Sequence, residues 1–315
     1  MKLPTYLFIV LILGCIAATY QLIYEAPELS KDNPHSDALI YQEMAQFEGI
    51  FEKTHITYRP VVPVVAGAIN KVINPKDTDF ILHGIFAFLN VIFFTLGMYL
   101  FWNLTFFHRK SDIGLIEVIP LLFVFSLPFF WRGAFLPLID TAAFALVAAM
   151  LWAHNQRNPS LLFLLAIIAI FTKEITILTI LFFPLIDMAR NRYWPVGYLS
   201  FIPALLIHGG TVLLLTENLG SYYLASPSQW IQDWHLTLGS LQWWDLRYLL
   251  SGLGAFLVLD LLLIVGKPKN SWVIAGFISV FALFIVLWLF TPSNSPRLIF
   301  MTVPLQYLFI RGLFS

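Results

Sequence analysis

The sequence predicts an all-α polytopic membrane protein with about ten transmembrane helices and a long first external loop that carries interfacial helices. Three observations predict it. Apolar residues make up 59% of the chain and charged residues 11%, whereas soluble domains carry about 25% charged residues. Mean hydropathy is +0.80. The apolar runs are continuous rather than alternating, which fits helices and excludes a β-barrel. Lys plus Arg and Asp plus Glu are 18 each, so no net charge points to nucleic acid. Cys15 is the single cysteine and lies inside the first apolar run, which leaves no intrachain disulfide and no cysteine-based metal or redox site.

Taken in order, the first span is Leu3 to Tyr24. It is too long for a signal-peptide core and lacks a small-residue cleavage motif, so it reads as a retained helix. The polar segment that follows forms the first external loop, 25–78. Further spans fall at 79–103, 113–130 and 138–154, then at 194–216, 248–266, 272–291 and 297–311. The run 160–186 is interrupted by Thr172-Lys173-Glu174 and reads as two short arms of a hairpin. A second external loop, 217–247, is rich in Trp, Tyr and Ser. No internal repeat or separate soluble domain is present, so residues 1–315 form one transmembrane domain.

The stretch HITYRPVVPVVAGAINKVI, residues 55–73, decides the topology. If it lies along the interface and Lys173-Glu174 sits at a hairpin, the connectors HRKSD, HNQRN, RNR and KPKN all face the cytoplasm, with both termini. Only Asp112, Glu117, Asp187 and Asp260 among the acids then fall on that side. If the stretch spans and the hairpin stays, RNR and KPKN move outside, against the positive-inside rule. If it spans and 160–186 is one helix, the charge rule is satisfied again. That arrangement buries Lys173 and Glu174 near the bilayer centre, at roughly 2.5 kcal/mol or more each. Adjacent helix residues do not face one another, so they pair poorly. The interfacial arrangement is therefore expected, with Pro60 near the first turn of that helix.

This orientation gathers polar residues on the outer face: Asp37 and Tyr41 one helical turn apart, Tyr58-Arg59, Asp140 in a short loop and helix start after Trp131-Arg132, Lys173-Glu174, and Arg297 at the start of the last span. Polar residues at membrane depth are costly and mark sites or pathways. Each also has a plain structural explanation. Asp37 and Asp140 fit N-terminal helix acids, Arg59 and Arg297 fit snorkelling anchors, and Lys173-Glu174 fits a structural ion pair. The histidines show no metal-ligand spacing, and no residue is assigned to a metal.

In sequence order, HSDALIYQEMA, YRPVVPVVAG, LPLIDTAAFAL, TKEITIL and SPRLIFMTVPLQYL resemble the GT-C superfamily of integral membrane glycosyltransferases, most of all its smaller bacterial members that use a polyprenyl-phosphate sugar. The resemblance covers most of the chain. It implies a cell-membrane enzyme with its site facing outside, a polyprenyl-phosphate sugar donor, and a glycan, lipid or protein acceptor. It implies that Asp37 is the catalytic base and that Arg297, Lys173 and Arg59 surround the donor phosphate, with Glu174, Tyr41 and Tyr58 beside them. Asp140 would bind the acceptor or orient a cation. Many relatives carry two adjacent acids in the first loop, but Ala38 follows Asp37 here, so a divalent metal is possible without being supported. Many also carry a soluble C-terminal domain; here acceptor recognition would fall to the loops, chiefly 217–247. A transporter or flippase of an anionic (glyco)lipid is the competing function, since a one-sided polar cavity would serve it equally. A purely structural membrane subunit would not need this density of one-sided charge.

Overall fold

The computed structural model describes residues 3–26, 37–47, 59–73, 79–106, 130–131 and 133–216, with residues 271, 274–275, 278–279, 282, 300 and 303–305 from the last part of the chain. The described residues are mostly helical and contain no strand. The helices are α1 (Leu3–Tyr20), α2 (Asp37–Gln46), α3 (Val61–Ile73), α4 (Asp79–Phe106), α5 (Asp140–Asn155), α6 (Pro159–Thr172), α7 (Phe183–Arg190), α8 (Pro195–Leu199) and α9 (Phe201–Thr216). A π-helical turn, Gln21–Glu25, continues α1, and a 3-10 segment, Glu174–Phe182, precedes α7. Among the described residues two stretches, Leu3–Glu25 and Asp79–Leu104, are long and apolar enough to cross a membrane.

Local chemistry accounts for the boundaries. Pro60 accepts the first helical bond of α3 from Val64 N at 2.9 Å, and Lys71 complements the dipole in the last turn. Asn158 caps α6 by accepting from Leu161 N at 3.0 Å, with Pro159 in the first turn. Helix α6 ends where Lys173 becomes extended, at φ −161° and ψ 108°. Thr176 then re-forms the chain as a 3-10 helix by donating its hydroxyl to Lys173 O at 2.7 Å. Asn191 ends α7 in the left-handed region at φ 53°, which asparagine tolerates well. The expected span 194–216 is divided at Ser200 into α8 and α9.

Helices α1 and α4 run antiparallel. Tyr6 packs on Trp102 with ring centroids 4.2 Å apart, and Gly14 faces Val91 and Phe94. Helices α4 and α5 run parallel, because Asn90 meets Thr141 and Gly97 meets Phe144 and Ala145. A Cβ on Gly97 would lie 2.6 Å from Phe144, so only glycine permits this approach. Helix α6 returns along α5, and the chain reverses at Lys173. Lys173 lies beside Asp140 at the start of α5, whereas Asp187 and Arg190 lie beside His154 and Asn155 at its end. The arm 173–187 therefore runs alongside α5 for its whole length.

Helix α3 buries Val62, Pro63, Ala66, Gly67 and Asn70 and exposes Val64, Val65, Val72 and Ile73. Its thirteen residues rise only about 20 Å. Its buried face packs on α2 so closely that a Cβ on Gly67 would fall 2.0 Å from Ala45 O. A carbonyl of an α-helix cannot rotate away. Gly67→Ala should therefore push α2 off α3 at an overpacking cost of about 1–3 kcal/mol, lowering the melting temperature in detergent by roughly 2–12 °C. Gly84 has nothing within 4 Å of the same position, so Gly84→Ala should hold or raise it through helix propensity. Equal melting of the two variants would show that α2 is not seated on α3 in this way.

Candidate functional site

The turn before α5 was expected to be a short loop on the outer face. It is a short non-helical segment, residues 133–139, and every residue from 133 to 140 is buried. Buried backbone outside a helix must find partners for its N–H and C=O groups. The turn bonds to itself from Leu136 N to Gly133 O at 3.3 Å and from Leu138 N to Leu136 O at 2.5 Å, and two side-chain amides from other helices supply further partners. Gln21, at the start of the π turn, donates from Nε2 to Phe130 O at 2.8 Å, and its Oε1 accepts from Phe135 N at 2.7 Å. Asn90, near the midpoint of α4, donates from Nδ2 to Leu136 O at 2.7 Å and to Leu138 O at 3.2 Å. Asn90 Oδ1 accepts from the Thr141 hydroxyl at 2.5 Å. Both amides are fully buried.

Asp140 follows this turn at the first position of α5, after the N-cap residue Ile139, whose side chain makes no capping bond. It is 0% exposed, and Lys173 donates to Asp140 Oδ1 at 2.5 Å from a side chain that is 9% exposed. Its place on α5 gives Asp140 the favourable helix-dipole field of an N-terminal acid as well. The partner shown for Lys173 is this distant acid. Glu174 is placed by its backbone at the start of the 3-10 segment, and its side chain lies outside the description.

The second part of the site joins α2 to the entry of α3. Arg59 donates from Nη1 to the Tyr41 hydroxyl at 3.3 Å, and Tyr41 is fully buried. Asp37 is the first residue of α2, one turn before Tyr41. Helices α2 and α3 lie side by side in the same direction, so their N-termini meet at one end; Phe47 and Lys71 pack together at the other, with the ammonium 4.0 Å from the ring centroid. Helix α2 is tied to the Asp79 end of α4. Gln46 donates to Asp79 Oδ1 at 3.1 Å, and Gln42 Nε2 lies 2.6 Å from His83 Nε2. His83 Nδ1 lies 2.9 Å from Asp79 O, so it carries the proton and Nε2 accepts from Gln42.

The structure thus brings together Tyr41 with Arg59, and Asp140 with Lys173. Tyr58 and Arg297 lie outside the described residues. Among the described residues no group of three or more His, Cys, Asp or Glu side chains is placed to hold a metal ion. Gln21 and Asn90 were missed in the sequence. Their signal was an amide inside or at the edge of a long apolar run, where a polar group must have a partner.

A further buried polar cluster closes the opposite end of α5. His154 donates from Nε2 to Asp187 Oδ1 at 2.9 Å, while Trp194 N and the Tyr198 hydroxyl donate to Asp187 Oδ2 at 2.8 and 2.5 Å. The His154 ring stacks on Phe183 at 4.0 Å, and a Cβ on Gly197 would lie 2.8 Å from Nδ1. This cluster fastens the arm 173–187 at one end, and the Asp140–Lys173 pair fastens it at the other.

No protein-family model, curated protein or solved structure matches the chain, so the chemistry of the site rests on its own geometry.

Proposed function

We propose that the chain is a multi-pass glycosyltransferase of the GT-C type, with about ten membrane spans. It would move a sugar from a polyprenyl-phosphate donor to an acceptor hydroxyl at the outer face of the cytoplasmic membrane. The observation that carries this reading is the buried Asp140–Lys173 pair, because charge sequestered in so apolar a chain marks a site or pathway. The setting supports it. Only 33% of the apolar window of α1 is buried, unlike the core helix of a soluble protein. Phe8, Ile12, Ile16 and Ile23 are exposed on it, as they would be against lipid. Helix α3, too short to cross a core of roughly 30 Å, carries the exposed apolar stripe expected of an interfacial helix.

In this reaction the Asp37 carboxylate takes the proton of the acceptor hydroxyl as its oxygen attacks the anomeric carbon. The bond from that carbon to the lipid-phosphate oxygen breaks, and its electron pair leaves with the phosphate. Fixed cations stabilise the growing charge. Arg297 is best suited, since a guanidinium can hold two phosphate oxygens. Arg59 and Lys173 assist, with Asp140 orienting the Lys173 ammonium.

Purified protein incubated with a panel of polyprenyl-phosphate sugars and candidate acceptors should release lipid phosphate and form glycosylated product with one donor class. Lipid movement across proteoliposomes without product from any donor would instead establish a transporter or flippase.

A further inference from the structure

Asp140 lies between residues that one side chain grips on both sides. Asn90 Nδ2 binds the carbonyls of Leu136 and Leu138 before it, and Asn90 Oδ1 binds the Thr141 hydroxyl after it. We propose that Asn90 is a positioning residue that fixes the place of the Asp140 carboxylate against Lys173. This inference does not depend on the glycosyltransferase reading, because it concerns the charge pair itself.

The physical argument starts from the pair. Two charges removed from water attract enough to offset their desolvation only in good geometry. Coulomb attraction falls inversely with distance, so a pair drawn from about 3 to about 6 Å apart loses about half its attraction. The start of a helix is where such drift is easiest, since its first turn has few intrahelical bonds to hold it. Within the turn 133–139 the backbone bonds from Leu136 N to Gly133 O and from Leu138 N to Leu136 O both stop short of Asp140. Asn90 supplies what the turn lacks, from the middle of a long helix that cannot itself shift easily. Gln21 grips the same turn farther back, at Phe130 and Phe135. It therefore supports the turn without flanking Asp140.

That difference gives the test. The coupling between Asp140 and Lys173 is read in detergent as the non-additivity of melting in the Asp140→Asn, Lys173→Met and double variants. The cycle is then repeated in three backgrounds: Asn90→Leu, Thr141→Val and Gln21→Leu. All three backgrounds should melt lower than the wild type. In Asn90→Leu the coupling should fall to about half or less, and in Thr141→Val it should fall partway, whereas Gln21→Leu should leave it unchanged. If Asn90→Leu does not fold, Thr141→Val, which conserves shape and removes one bond, decides alone. Unchanged coupling in the Asn90 and Thr141 backgrounds would overturn the proposal. So would an equal loss in Gln21→Leu, which would mean that any loosening of the turn has the same effect.

Discussion

Lys173→Met should destabilise the protein more than the double variant Asp140→Asn/Lys173→Met. The single change leaves the Asp140 carboxylate, 0% exposed, without the ammonium shown beside it. Removing one partner of a buried pair costs about 3–5 kcal/mol, because the remaining charge stays desolvated. That is roughly a 100- to 5,000-fold fall in the ratio of folded to unfolded protein. The double variant removes both charges. Neutral side chains of similar volume often replace a buried pair at little cost. Unfolding in detergent, followed by tryptophan fluorescence against denaturant, measures both. A Lys173→Met protein as stable as the wild type would mean that the pair is solvated, and would remove the main structural support for a site there.

The same pair shows what the sequence could convey. Helices α1, α4 and α6 could be read from the length of their apolar runs, and the end of α6 from the charges at Lys173-Glu174. The Asn158-Pro159 start also follows local rules. Those features depend on residues within a turn or two of one another. The pairing of Lys173 with Asp140 does not. Glu174 is the nearest acid in the chain, and the structure adds an acid thirty-three residues earlier, Asp140, across the α5–α6 hairpin. An extended residue at the end of α6 turns the Lys173 side chain toward that acid, and no periodicity encodes this. The burial of residues 133–139 was hidden for a related reason. Two amides on distant helices tie that turn down, and composition registers them only as two polar letters in apolar runs. The cluster of His154 with Asp187, Trp194 and Tyr198 likewise joins one residue of α5 to a segment that begins thirty-three residues later.

Asp37→Asn should leave donor binding nearly intact and abolish most product formation. Asp37 is the first residue of α2, one turn before Tyr41, which accepts a hydrogen bond from Arg59. Helices α2 and α3 begin side by side, which puts the backbone of the proposed base at the same end as Arg59. Asparagine keeps the size of aspartate and still accepts and donates hydrogen bonds, but it takes up no proton at neutral pH. General-base catalysis contributes roughly 10²–10⁴-fold, so product formation should fall by that factor. Tyr41→Phe provides the contrast. It removes the acceptor of the Arg59 hydrogen bond, a contact outside the proton transfer, so its loss should be far smaller, on the order of tenfold for a net 1–1.5 kcal/mol. Donor binding and product formation should be measured on the same preparation of each variant. If Asp37→Asn loses donor binding in proportion to product, Asp37 holds the donor and is not the base. If Asp37→Asn forms product at the wild-type rate, the assignment of the base fails, and with it the residue-level case for sugar transfer at this face.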